Sequence, residues 1–137
     1  MKSVHDLVKG ARKVQQTILL VGDISDIYVT NFNTMMGDPN FTVEELSAIA
    51  FGYNRLLEES SNRLLDLKEV TTATGLSMTD KERLDIINRI YGEVLEYKNL
   101  TWYYTRKNIG ISYLRSKKKG DSQRVLALYG THDQRYW

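Results

Sequence analysis

Residues 4–35, VHDLVKGARKVQQTILLVGDISDIYVTNFNTM, decide the fold. Val4, Ala11, Ile18, Ser25 and Phe32 form one seven-residue series, and Leu7, Val14, Val21, Tyr28 and Met35 form another. Two such series make an a/d stripe, and its persistence over five heptads predicts a long helix packed beside others. The helix should run from an N-cap at about Ser3 to about Met36, on the order of 50 Å. Gly10 and Gly22 weaken it, and Gly22-Asp23 is where a kink or break is expected. Gly37-Asp38-Pro39-Asn40 reads as a stop and a turn.

Working outward, Thr42 and Glu45 have capping-box spacing, with Phe41 in the staple position, so a second helix starts here. Its stripe is Val43, Ala50, Leu57 and Leu64 beside Leu46, Tyr53, Ser60 and Leu67. It should fade across the β-branched run Val70 to Thr74 and end at Gly75. Thr79 and Glu82 form a second capping box. The helix they open carries Leu84, Ile87, Tyr91 and Val94 beside Ile86, Ile90, Tyr97, Leu100 and Tyr104, a broad apolar face suited to a central helix. It should reach about Leu114 or beyond, with Arg115 to Asp121 as its solvated end and loop. A short helix from about Ser122 to Tyr129 follows. The reading is all-α: an elongated antiparallel bundle of three long helices plus a short C-terminal helix, one domain over residues 1–137.

A chain of 137 residues can bury a core without staples. It contains no cysteine, which excludes disulfides and thiol chemistry. No apolar run is long enough for a membrane span, and the N-terminus lacks the apolar stretch of a signal peptide. The net charge of +2 hides an asymmetry. Residues 38–100 carry seven basic against twelve acidic groups, whereas residues 101–137 carry eight against two.

That basic C-terminal third contains the strongest charge feature, Arg115, Lys117, Lys118 and Lys119, with Arg106, Lys107 and Arg124 nearby. Trp102, Tyr103, Tyr104 and Tyr113 are interleaved, which suits stacking bases and held phosphates. The simpler account is a cationic helix C-terminus complementing the helix dipole. Arg135, Tyr136 and Trp137 end the chain on two large aromatics, which either dock onto the body or anchor a partner. Carboxylate neighbours such as Asp23 and Asp26, or Glu58 and Glu59, read as solvated helix faces rather than acid/base pairs. His5 and Asp6 diverge on a helix, and no metal-ligand spacing occurs. Gly52, Gly92 and Gly110 read as close-packing positions. No catalytic, cofactor-binding or metal-ligating residue is expected, and no enzyme.

The strings Ala11-Arg12-Lys13-Val14-Gln15-Gln16-Thr17-Ile18-Leu19, Val21 to Tyr28, Phe41 to Tyr53, Leu76 to Arg83, Ile111 to Lys119, Leu126 to Gly130 and Arg135-Tyr136-Trp137 resemble one family. It is the conjugal-transfer family of Bacteroides-type conjugative transposons labelled TraI, distinct from the relaxase of that label. The likeness covers essentially the whole chain. Such proteins resemble, more distantly, helical periplasmic and minor pilus-associated components of type IV secretion systems. The resemblance implies a non-enzymatic structural part of the mating apparatus, in the periplasm or cell envelope, and a longer exported precursor of which this is the C-terminal part. Its implied partners are other conjugation-apparatus proteins, with self-association as a further option. The partner surface is expected at Arg115, Lys117, Lys118, Lys119, Arg135, Tyr136 and Trp137. The alternative is a nucleic-acid-binding accessory factor using the basic third.

Overall fold

A computed structural model of the chain describes residues 4–72 and 78–130, with side chains from Val8 onward. Among the described residues the fold is all-α, without strands: α1 (Val4–Met36), α2 (Val43–Thr72), α3 (Asp80–Lys119) and α4 (Ser122–Tyr129). Ser3 and Gly75, the expected start of α1 and end of α2, lie outside the described residues.

Both capping boxes form. The Thr42 N–H donates to Glu45 Oε1 (3.0 Å) while the Glu45 N–H donates to Thr42 Oγ1 (3.1 Å). Thr79 and Glu82 repeat the exchange at 3.2 and 3.1 Å. Each box satisfies N–H groups that a helix start leaves orphaned. α1 runs unbroken through Gly10 and Gly22, and α3 through Gly110. α3 also carries Arg115 to Lys119 as helix rather than loop. It ends at Gly120, whose φ of 77° admits the left-handed cap. The Gly120 N–H donates to Lys117 O (3.2 Å) and the Asp121 N–H to Ser116 O (2.9 Å), the two bonds of a Schellman motif.

The chain divides into two compact units, Met1–Ile24 with Leu57–Asn99, and Ser25–Leu56 with Leu100–Trp137. In the first, Leu20, Val21, Ile24, Leu67, Ile87, Ile90 and Val94 form the core, with Val14, Leu57, Leu64 and Tyr97 packed around them. Each fully buried aliphatic side chain contributes about 1.5–3 kcal/mol over an exposed one.

The stripe on α1 differs from its reading in the sequence. The series Val14, Val21, Tyr28, Met35 does face the cores, but its companion is Gly10, Thr17, Ile24, Asn31. Ile18, expected in the seam, is 52 % exposed. The polar members of the true companion series are tolerated because each bonds its own helix: Thr17 Oγ1 donates to Lys13 O (2.7 Å) and Asn31 Nδ2 to Ile27 O (2.8 Å).

The second unit is built on aromatics. Tyr28 stacks on Tyr53 at 4.7 Å between centroids, and Tyr104 meets Tyr53 edge-on at 4.9 Å. Met35, Phe41, Ile49, Ile109, Val125 and Tyr129 complete the core. The broad apolar face expected of α3 holds through the first unit, where Ile87, Ile90 and Val94 are buried with Ile86, Tyr91 and Tyr97 packed against them, and in the second unit it gives way to polar residues. Leu100 is partly exposed, and α3 buries Thr101, Thr105, Asn108, Ser112 and Ser116 beside the single apolar Ile109. Small hydroxyl side chains let the neighbours come close, and they bond as they do so. Thr105 Oγ1 donates to Thr101 O (2.8 Å) and shares a 2.6 Å hydrogen bond with Tyr53 Oη.

Candidate functional site

The turn between α1 and α2 organises the polar residues of the second unit. The Asp38 N–H donates to Met35 O (3.0 Å), closing the end of α1 and turning the Asp38 side chain inward, where it is fully buried. One carboxylate oxygen accepts from Ser112 Oγ (2.5 Å) on α3 and from Tyr129 Oη (2.8 Å) on α4. The other accepts the Asn40 N–H (2.9 Å) and lies 3.7 Å from an Arg124 nitrogen. A buried carboxylate is stable only when its lone pairs are met in this way.

Asn40 extends the network. Its Nδ2 donates to Ser112 O (3.1 Å), Ser112 Oγ (3.0 Å) and Ser116 Oγ (2.6 Å). Its Oδ1 accepts from Lys119 Nζ (3.0 Å), and its backbone carbonyl from Arg115 (2.7 Å). Arg115 also grips Glu45 through both guanidinium nitrogens, at 2.9 and 2.6 Å. This fork, with the Thr42 N–H, holds the Glu45 carboxyl down at about 2. Arg124 donates twice to Asp121 Oδ2, at 3.2 and 3.0 Å. Burial is the first cause that pushes the Tyr129 hydroxyl above the usual tyrosine range, with Asp38 adding to it. Burial likewise pushes Tyr53 up to about 12.

The basic segment therefore divides. Arg115 and Lys119 bond the α1–α2 turn, while Lys117 and Lys118 stand exposed on the last turn of α3. Arg135, Tyr136 and Trp137 lie outside the described residues. What hydropathy reading missed is the receiving side: Asp38, Asn40, Ser112, Ser116 and Tyr129. The available signal was Ser112 and Ser116 four apart, where the apolar stripe of α3 lapses.

Beside this network a cleft of about 230 Å³ is lined by Phe41, Glu45, Ala48, Ile49, Tyr104, Asn108 and Ile111. Tyr104 Oη donates to Ile49 O (3.0 Å) across its floor. A general base must reach its substrate, and the Asp38 carboxylate is enclosed and occupied by donors. The chemistry of the arrangement is cohesion: it ties the α1–α2 turn, α3 and α4 together. No three potential metal-ligating side chains converge, and no helix is long and apolar enough to cross a membrane, among the described residues. No family model, curated protein or solved structure matches the chain.

Proposed function

We propose that this chain is a non-enzymatic structural component of a conjugative type IV secretion apparatus, an elongated antiparallel helical bundle working by protein–protein contacts in the periplasm or cell envelope. The resemblance of its sequence to the conjugal-transfer family of Bacteroides-type transposons supplies the apparatus. The observation that carries the contact reading is the pair Val43 and Phe51 on α2, exposed at 78 % and 68 % while the buried polar groups around Asp38 in the same unit bond one another. Large side chains left in water at that level are candidates for burial against a partner.

The test is conjugal transfer from a donor lacking the gene, complemented with the intact protein or with Phe51→Asp. Restoration by the intact protein and a transfer frequency at least about tenfold lower with an equally abundant, equally stable Phe51→Asp protein are expected. Undiminished transfer on deletion sinks the apparatus role, and full complementation by Phe51→Asp sinks this contact. A second reading, a nucleic-acid-binding accessory factor, draws on the exposed Arg106, Lys107, Lys117 and Lys118 of α3.

A further inference from the structure

In the first unit, α1 and α3 flank a cleft of about 350 Å³ lined by Lys9, Arg12, Lys13, Gln16, Leu84 and Asn88. The four α1 positions share one helical face, since Lys9 lies three and four residues before Arg12 and Lys13, and Gln16 four and three residues after them. Lys9 is thus three residues from Arg12 and four from Lys13, a like-charge spacing that weakens a bare helix. Elsewhere in this unit cations meet carboxylates: Arg63 stands 3.1 Å from Asp66, Arg89 3.6 Å from Glu93 and Lys98 3.1 Å from Asp23. The cleft instead gathers three cations and two amides, with no carboxylate among its lining residues.

Two features fix its geometry. Lys13 Nζ lies 4.0 Å from the centroid of the Tyr91 ring on α3, a cation–π contact that ties this lining residue to the facing helix, three residues on from Asn88. Gly10 is buried just behind, and a Cβ there would stand 3.8 Å from Ile87 Cδ1 and 3.9 Å from Leu84 Cδ1. α1 is therefore packed closely against Leu84 and Ile87 of α3 at Gly10, one residue from Lys9 and two from Arg12.

We propose that this cleft binds a multiply charged phosphate group carried by a small ligand. Arg12 offers a planar fork suited to two phosphate oxygens, Lys9 and Lys13 add point charges, and the Gln16 and Asn88 amides are further donors. Leu84 provides apolar contact for the body of the ligand. The volume is at the small end of ligand pockets, matched to a phosphorylated headgroup or metabolite rather than to an extended chain. This assignment is independent of the protein–protein reading and of the α2 residues that carry it.

The test is calorimetric titration of the full chain with inorganic pyrophosphate at about 50 mM NaCl, where surface charge is incompletely screened. Saturable one-site binding is expected. Arg12→Gln and Lys13→Met should each weaken it about tenfold or more, the scale of a lost charge-assisted hydrogen bond. Lys117→Gln with Lys118→Gln should leave it unchanged. Arg12 is exposed, so its variant should keep the parent's helical signal and melting temperature. Vesicles of phosphatidylcholine with phosphatidic acid separate the sources. Vesicle binding that pyrophosphate displaces and Arg12→Gln abolishes assigns the phosphate to a lipid headgroup; pyrophosphate binding without vesicle binding assigns it to a soluble ligand. The proposal is overturned by no saturation up to about 10 mM pyrophosphate. It is equally overturned by affinity unchanged in Arg12→Gln and Lys13→Met, or lost with the Lys117 and Lys118 changes. Binding of vesicles or DNA that survives the Arg12 and Lys13 changes, with pyrophosphate ignored, also overturns it.

Discussion

Replacing Asp38 with asparagine keeps the side-chain shape but exchanges an acceptor for a donor in a place where every neighbour donates. Either the Ser112 and Tyr129 hydroxyls or the Asn40 N–H would then face an amide NH2, and Arg124 would keep only Asp121 as a counter-charge. A destabilisation of about 3 kcal/mol or more is expected, read as a lower urea midpoint at unchanged slope. Tyr129→Phe removes one of these donors and leaves the ring packed, so about 1–2 kcal/mol is expected for it. Glu45 behaves differently because it is partly exposed. Its carboxyl titrates near 2 in the folded chain against 4.5 ordinarily, so the folded state favours the charged form. The stability this adds is complete above about pH 4.5 and is lost as pH falls through the window down to about 2. Acid unfolding curves should therefore fall less steeply across that window in Glu45→Gln than in the parent.

Within the helices, identical substitutions should have opposite signs at two glycines. Gly92 is exposed on α3, and a Cβ there meets nothing within 4 Å. Gly92→Ala should stabilise by about 0.5–1 kcal/mol through helix propensity alone. At Gly52 on α2 the added Cβ would collide with the Tyr104 ring and hydroxyl. Tyr104 would have to swing away, giving up its bond to Ile49 O and its edge contact with Tyr53. Gly52→Ala should accordingly cost about 1–3 kcal/mol, and a thermal melt of the two variants side by side checks both signs. The pair also marks what was legible in the sequence. Caps were, because Thr42/Glu45 and Thr79/Glu82 act through local spacing; of the glycines read as close-packing positions, Gly52 is one and Gly92 is not, since helix spacing alone does not show which face meets a neighbour. Half of the α1 stripe was misassigned, because Thr17 and Asn31 look polar until their bonds back to the preceding turn are seen. The polar face of α3 was missed for the same reason: Thr105, Ser112 and Ser116 are buried by virtue of partners far away in sequence, which periodicity does not register.

At the scale of the whole molecule, charge counting and structure give different forecasts for contact with nucleic acid. The last 37 residues carry eight basic groups. If all eight met phosphates, the logarithm of the DNA affinity would fall with that of salt at a slope near −7, from about 0.9 per contact. Three of them, Arg115, Lys119 and Arg124, bond Glu45, Asn40 and Asp121 instead. That leaves Arg106, Lys107, Lys117 and Lys118, exposed on α3, and Arg135, which lies outside the described residues, so these five limit the contribution of the C-terminal third to a slope of roughly −4.5. The expected outcome is weak binding of a random duplex with a slope no steeper than that, reduced by about 2 in a Lys117→Gln, Lys118→Gln variant. Fluorescence anisotropy across a salt series measures it. A slope approaching −7 that persists in an Arg12→Gln, Lys13→Met variant would mean that Arg115, Lys119 and Arg124 leave their partners to reach the duplex, and α4 would then have to loosen from the Asp38 turn. That result would transfer weight from the apolar α2 contact to the nucleic-acid reading, because no protein–protein role requires those internal bonds to open.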